Sequence, residues 1–106
     1  MKRLSNEQVK LVAERSRALG DATRVRIIDV LARAEQPVGQ IAAALASEPS
    51  SISKHLQVLF RAKLVDRRRE AGKVIYSIAA ADLVEWCRYL SARELESRAD
   101  APPAAS

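Results

Sequence analysis

The sequence predicts a mainly α-helical fold with one small β-hairpin. Apolar residues recur at helical spacing in five segments, and two short alternating runs flank a turn that contains glycine. The 106 residues are enough for one modest hydrophobic core and hardly for two. We therefore expect one domain over residues 1–96 and a disordered tail over residues 97–106, where Pro102 and Pro103 stand between alanines.

Capping residues mark the first two helices. Ser5 is followed three residues later by Gln8, which is the spacing of a capping box. The first helix should therefore begin directly after Ser5 and end at Gly20. Asp21 can cap a second helix that reaches about Ala34, because its apolar residues recur at helical spacing.

Prolines delimit the third and fourth helices. Pro37 ends the second helical pattern, and a short third helix is predicted over residues 38–46. Pro49 is tolerated in a first helical turn and begins a fourth helix that reaches about residue 62. The apolar residues of this helix form one stripe, and its opposite side is polar. The polar side carries Ser50, Ser51, Lys54, Gln57 and Arg61.

A hairpin and a last helix complete the predicted fold. Residues 64–69 and 73–78 alternate as strands do and are joined by residues 70–72. Asp82, with Glu85 three residues later, marks the start of the last helix. Helix, helix, short helix, tight turn, polar-faced helix, basic hairpin and helix is the order of a winged helix-turn-helix, in which the hairpin is the wing.

Composition excludes several kinds of protein. No apolar run is long enough for a membrane span and the first residues do not form a secretion signal, so we expect a cytoplasmic protein without a membrane partner. Cys87 is the only cysteine and His55 the only histidine, so neither an intrachain disulfide, a Cys/His metal site nor a cofactor is expected. No constellation of catalytic residues occurs at a workable spacing, so we expect no enzyme.

The positive charge is concentrated in one stretch. Residues 50–75 contain seven Lys or Arg against two Asp or Glu, which accounts for the whole formal charge of +5. Such a stretch suits a surface that binds a polyanion. A solvated helix face followed by a charged hairpin explains the charge equally well.

The fourth helix and the hairpin have side chains suited to double-stranded DNA. A major groove about 12 Å wide admits one helix, and the residues near the N-terminus of that helix reach the base edges. Here these residues are Ser50, Ser51, Ser53 and Lys54, with Gln57 one turn later. Cations on the hairpin suit backbone phosphates or the minor groove. They are Arg67, Arg68, Arg69 and Lys73. Strand neighbours face opposite ways, so an open alternative is that one arginine pairs with Glu70 or Asp66.

Three segments carry a family resemblance: LGDATRVRII at residues 19–28, SISKHLQVL at 51–59 and GKVIY at 72–76. In these segments the chain resembles the ArsR/SmtB family of bacterial winged-helix repressors, in family order and at family spacing. The resemblance implies a homodimer that binds a partly palindromic operator and represses transcription until an inducer releases it. It also implies that His55 lies at the DNA surface, and a histidine packed under the wing is the alternative.

The resemblance further implies that the first and last helices form the dimer interface. Their apolar stripes are consistent with that role, although a monomer core explains the same periodicity equally well. The stripe residues are Val9, Val12, Leu83, Trp86 and Leu90.

The sequence departs from the family at the positions that bind an inducer. Pro37 and Gly39 occupy the positions of the family's metal-binding Cys-x-Cys, and Val84 stands where another family metal site has histidine, so no metal is expected. Cys87 is a candidate thiol sensor, and an inert core thiol is the alternative. Any small-molecule or redox inducer is unidentified. Ala46 replaces the usual glycine of the turn before the fourth helix.

A second class of function is also open. The same fold can serve as a winged-helix module that binds protein partners and does not bind DNA. Salt dependence separates the two, because binding that neutralises phosphates weakens steeply as salt rises.

Overall fold

A computed structural model describes the backbone of residues 2–100 and the side chains of residues 2–92. The five helices and the hairpin occur in the predicted order, with one additional short strand before the third helix. The elements are α1 (Asn6–Ala18), α2 (Ala22–Arg33), β1 (Gln36–Pro37), α3 (Val38–Ala44), α4 (Pro49–Arg61), β2 (Val65–Glu70), β3 (Lys73–Ile78) and α5 (Asp82–Asp100). The predicted mainly helical fold with a small hairpin is confirmed.

Side-chain caps start the first two helices, as predicted. The Ser5 hydroxyl accepts a hydrogen bond from the Gln8 backbone N–H at 3.0 Å, and the Gln8 side chain accepts one from the Ser5 N–H at 2.8 Å. The Asp21 carboxylate accepts a hydrogen bond from the Arg24 backbone N–H at 3.1 Å. This bond to the charged form holds the pKa of Asp21 below its ordinary value. Both helix starts therefore follow from local sequence.

The strand β1 is a feature that the sequence analysis missed. Gln36 lies opposite Tyr76 and Pro37 opposite Ile75 in an antiparallel pair, and the strand order is β1-β3-β2. The Gln36 side chain also donates to the Ala34 carbonyl at 2.9 Å, next to the end of α2. A proline is tolerated here because β1 is an edge strand. Two residues are too few to show strand alternation, so the pattern gave no signal.

The wing is a tight hairpin of two six-residue strands. Val65 lies opposite Ile78 and Glu70 opposite Lys73, so the connection has two residues instead of the predicted three. These two, Ala71 and Gly72, have φ of 50° and 77°. Positive φ at both central positions is the condition for a type I′ turn, which matches the twist of the flanking strands.

The core is formed by α2, α3, α4 and the inner face of the hairpin. Ile27, Ile41, Ile52, Leu56 and Leu59 are completely buried. Complete burial of a Leu or Ile side chain is worth about 1.5 to 3 kcal/mol relative to exposure. In the part of the chain with described side chains, the buried apolar residues are Ala18, Ile27, Ile28, Leu31, Ile41, Ala42, Ile52, Leu56, Leu59, Leu64, Val65, Tyr76 and Leu83.

Helix α5 joins this core at its first turn. Leu83 was predicted to lie at a dimer interface, but it is only 7% exposed and belongs to the core of its own chain. The reason is that α5 begins four residues after β3 ends, which keeps its first turn against the core.

The far end of α5 extends beyond the predicted start of the tail. The helix runs to Asp100, so residues 97–100 are helical. Proline disfavours helical conformation at the residue before it, and the first proline of the tail comes only at residue 102. The remainder of the predicted tail, residues 101–106, lies outside the described residues. Within the described chain, no helix combines the length and the apolar character that crossing a bilayer requires.

Arg24 connects three helices from the first turn of α2. Its Nε donates to the Ala18 carbonyl at 2.6 Å and one terminal nitrogen donates to the Arg17 carbonyl at 3.4 Å, both at the end of α1. The other terminal nitrogen lies 3.3 Å from Nδ1 of His55 on α4. Since a guanidinium only donates, Nδ1 of His55 is the acceptor in this contact.

The turn between α3 and α4 contains a strained residue. Ala46 has a φ of 50°, in the left-handed region that favours glycine. The Ser47 N–H donates to the Ala42 carbonyl at 2.9 Å, and the Ser47 hydroxyl donates to the Leu45 carbonyl at 3.1 Å. These bonds hold the turn in spite of the strain at Ala46.

Ala46→Gly is expected to stabilise the fold by roughly 0.5 kcal/mol, because the left-handed penalty of about 1 to 2 kcal/mol exceeds the entropic cost of glycine. Thermal unfolding measures the change. Ala43→Gly inside α3 is the matched control and should destabilise by about 0.5 to 1 kcal/mol. A similar loss in both variants would contradict the strain at Ala46.

Arg24→Met is expected to lower the free energy of unfolding by roughly 1 to 3 kcal/mol, because it removes the side-chain donor from the Ala18 carbonyl and from the His55 ring. Urea denaturation measures the change. Arg26→Met, which removes an exposed arginine from the same helix, should change stability by less than about 0.5 kcal/mol. Equal effects of the two variants would rule out a linking role for Arg24.

Candidate nucleic-acid interface

One face of α4 is polar and exposed along its whole length. Ser50, Lys54, Gln57 and Arg61 follow one another at intervals of three or four residues, so they lie in a row along the helix. All four are exposed. They offer a hydroxyl, an amide and two cations, which are groups that can bind base edges and phosphates.

The two other serines of α4 lie at the sides of this row. Ser51 is exposed and Ser53 is half-buried. Ser53 is seven residues before Phe60, so both lie on the side of α4 that faces the wing. Of the serines predicted to reach DNA, Ser50 and Ser51 are therefore exposed and Ser53 is partly covered.

The opposite face of α4 fixes its orientation. Ile52, Leu56 and Leu59 are completely buried in the core, one turn after another. Rotating the helix would expose these side chains to water, at about 1.5 to 3 kcal/mol for each one. The polar row is therefore held in one direction by the core behind it.

The arginines of β2 alternate between the two faces of the wing. The guanidinium carbon of Arg67 lies 4.0 Å from the centre of the Phe60 ring, a cation–π contact with α4. Arg68 points to the opposite face, as the period of a strand requires. Arg69 shares the face of Arg67, and it and Lys73 at the turn are exposed. The wing therefore presents its cations in two directions.

Arg68 is held by two carboxylates. Its terminal nitrogens donate to both oxygens of Glu35 at 2.7 and 2.6 Å, and one of them also donates to Glu70 at 2.7 Å. The hydrogen bonds from Arg68 lower the pKa of Glu35, and both carboxylates raise the pKa of Arg68. The predicted pairing of one wing arginine with Glu70 is confirmed. Glu35 is 33 residues away in sequence, and no local pattern could identify it.

Other cations of this surface are free of such contacts. Among residues 2–92, the ion pairs involve only Arg68 and Arg88 as the cationic partners. The basic side chains of α4 and the wing that form no ion pair with a described residue include Lys54, Arg61, Arg69 and Lys73.

His55 lies on the α2 side of α4. It is half-buried, and its Nδ1 faces Arg24. The alternative that it packs under the wing is therefore wrong, because His55 contacts Arg24 of α2, whereas Phe60, which contacts Arg67 of the wing, lies about 140° away around the helix. A role of Nε2 at DNA stays a prediction.

Helices α1 and α5 expose apolar side chains. Val9 and Val12 on α1 are each 53% exposed, and Trp86 and Leu90 on α5 are 48% and 51% exposed. The rings of Trp86 and Tyr89 stack with their centres 5.9 Å apart. Val12 and Trp86 also line a groove of about 590 Å³ between the two helices. Four of the five predicted interface residues are thus apolar side chains that residues 2–92 leave exposed.

Cys87 lies on α5 and lines a groove between this helix and α2. It is half-buried, and burial raises the pKa of its thiol. The thiolate is the nucleophile in thiol oxidation, so this environment favours the inert form. Metal ligands do not cluster either: in the described part of the chain, no three His, Cys, Asp or Glu side chains are placed to hold an ion.

Comparisons with known proteins agree with this geometry. A family model described as a helix-turn-helix domain matches residues 19–68, which run from the end of α1 into the wing. The uncharacterized HTH-type transcriptional regulator Rv0081 of Mycobacterium tuberculosis is 38% identical over 93 residues, which are 84% of this chain and 82% of that protein. The transcriptional repressor SmtB homolog of Synechocystis is 38% identical over 76 residues, covering 72% of this chain and 58% of that protein.

Solved structures show the same architecture. The homodimeric winged helix-turn-helix DNA-binding domain of Mb0332 from Mycobacterium bovis, a possible ArsR-family transcriptional regulator, superimposes with a TM-score of 0.79. It is 31% identical, and the match covers 92% of this chain and 95% of that chain. Sequence, fold and the exposed face of α4 lead to one conclusion: this chain belongs to the ArsR/SmtB family of winged helix-turn-helix transcriptional regulators.

Proposed function

We propose that the chain acts as a homodimer that binds a partly palindromic operator sequence-specifically and represses transcription from it. The observation that carries the proposal is the exposed polar row of α4, which is fixed by the core and lies beside Arg69 and Lys73 of the wing, two cations that form no ion pair with a described residue. As a transcriptional regulator it would act in the cytoplasm, together with the DNA, and would catalyse no reaction.

In this proposal α4 is the recognition helix. It has 13 residues and is therefore about 20 Å long, which suits the major groove. Ser50 and Lys54 lie in its N-terminal half and Gln57 one turn later, where hydroxyl, ammonium and amide groups can meet base edges. The helix N-terminus also favours the negative charge of a phosphate.

The wing supplies contacts that do not depend on sequence. Arg69 and Lys73 are exposed near the turn of the hairpin and form no ion pair with a described residue. They are suited to phosphates or to the minor groove beside α4. Arg67 is partly engaged by Phe60, and Arg68 is engaged by its two carboxylates.

The homodimer is proposed from the apolar surface of α1 and α5. Single exposed apolar side chains are normal on a monomer, but larger exposed apolar patches mark interaction sites. Here Val12 of α1 and Trp86 of α5, both about half exposed, line the same groove. The homodimeric state of the Mb0332 domain supports a second copy as the partner. Two copies related by a two-fold axis would place two α4 helices in successive major grooves, about 34 Å apart.

Selection of bound fragments from random duplexes tests the proposal directly. An inverted repeat with half-site centres about 10 base pairs apart is the expected product. The alternative, a module that binds proteins and not DNA, predicts no enrichment and a flat salt titration. A DNA-binding dimer predicts a log–log slope of about −0.9 for each neutralised phosphate.

Lys54→Ala and Gln57→Ala are each expected to weaken operator binding by roughly 1 to 3 kcal/mol and to relax base preference, because both remove groups aimed at base edges. Fluorescence anisotropy with the selected duplex and its single-base variants measures both effects. Lys10→Ala removes the same charge from α1 and should leave base preference unchanged. If Lys54→Ala changes neither affinity nor preference, α4 is not the recognition helix.

Trp86→Glu is expected to convert the dimer to monomer, because it places a charge in the centre of the apolar surface. Sedimentation equilibrium measures the mass, which for the wild type should be twice 11.7 kDa at micromolar concentration. Val58→Glu, at an exposed valine of α4, is the control and should remain dimeric. A wild type that sediments only at 11.7 kDa would disprove the dimer.

A further inference from the structure

We infer that Glu35 limits the affinity of this protein for duplex DNA of any sequence, by holding Arg68 of the wing in an ion pair. The inference rests on the proposed function and concerns its strength, since it adds an acidic residue outside α4 and the wing to the determinants of DNA binding.

The ion pair engages both terminal nitrogens of the Arg68 guanidinium. One terminal nitrogen of Arg68 donates to Glu35, and the other donates to Glu35 and Glu70, over distances of 2.6 to 2.7 Å. Such a two-pronged arrangement is the strongest that arginine and a carboxylate form. One positive and two negative charges give this cluster of three side chains a net charge of −1.

The sheet brings Glu35 to this position. Arg68 lies opposite Ile75, and Ile75 lies opposite Pro37 on the next strand. Arg68 and Pro37 therefore share a face of the sheet, and Glu35, just before β1, reaches the guanidinium of Arg68 on that side. Arg68 thus reaches across the half-buried Ile75 to the end of α2. The pairing depends on β1, which places an acidic residue beside the wing.

The consequence for DNA follows from electrostatics. The side chains of Arg68, Glu35 and Glu70 are 47%, 49% and 61% exposed, so a phosphate can approach them. A phosphate that binds Arg68 must replace its hydrogen bonds to Glu35 and Glu70. It then lies beside these two carboxylates, which repel it. Arg68 therefore contributes less to DNA binding than Arg69 or Lys73, which form no ion pair with any of residues 2–92.

Removing Glu35 should therefore strengthen binding uniformly. Glu35→Gln keeps the shape of the side chain and makes Arg68 available to phosphate. For each phosphate newly bound, affinity should rise roughly fivefold to tenfold at 0.1 M salt, and the log–log salt slope should steepen by about 0.9. Operator and random duplexes should gain by the same factor, because phosphate contacts carry no sequence information. Base preference should not change.

The experiment measures affinity and salt slope of the full chain on the selected operator and on a random duplex. Asp66→Asn is the matched control, because Asp66 is exposed on the same strand face as Arg68 and makes no ion pair with it. Glu35→Gln should raise the affinity and steepen the salt slope more than Asp66→Asn does. In an Arg68→Ala background, its effect should shrink to that of Asp66→Asn. Glu70→Gln should act in the same direction with a smaller effect.

The outcomes separate the inference from the proposed function. If Glu35→Gln does not exceed Asp66→Asn, or if its excess persists without Arg68, the inference is wrong while the proposed function stands. If the wild type binds no duplex in a salt-dependent manner, the proposed function fails and the inference fails with it. Thermal unfolding of each variant measures whether it is as fully folded as the wild type under the conditions of the binding assay.

Discussion

The burial of one stripe of α4 is the constraint on which this structure depends. Ile52, Leu56 and Leu59 are sealed into the core, and the same helix therefore has only one direction in which its polar row can point. The core that stabilises the fold is also what orients Lys54 and Gln57. One face of α4 thus stabilises the fold and the other is placed to recognise DNA. A substitution that loosens the packing of the buried face would also disturb the orientation of the polar row.

The electrostatic pattern of the wing follows from the two-residue period of its strands. Three consecutive arginines look alike in sequence, yet the strand turns Arg67 toward Phe60 and Arg68 toward two carboxylates. Counting charges along the chain therefore overstates the charge available to a polyanion. What matters is which cations have acidic neighbours in three dimensions.

Local sequence was sufficient for most of the fold. The capping box at Ser5, the cap at Asp21 and the amphipathic stripe of α4 each depend on residues within one or two helical turns, and all three occur as predicted. The strand β1 and the partner Glu35 depend on register between distant segments, so no local period could reveal them. For the candidate site, the sequence identified the exposed row of α4, but it did not show that His55 faces Arg24 or that Leu83 is buried.

Arg24 gives the molecule a mechanical property that none of its helices has alone. Its guanidinium donates to the Ala18 carbonyl in the last turn of α1 and contacts His55 of α4. Arg24 therefore forms a rigid link between the end of α1 and the side of α4. In a homodimer built on the apolar surface of α1 and α5, this link makes α4 of each protomer move together with α1. A change of a few degrees in the angle between the two protomers would then move the two α4 helices apart by ångströms. Their fit to the major grooves of DNA would change without any rearrangement inside a protomer.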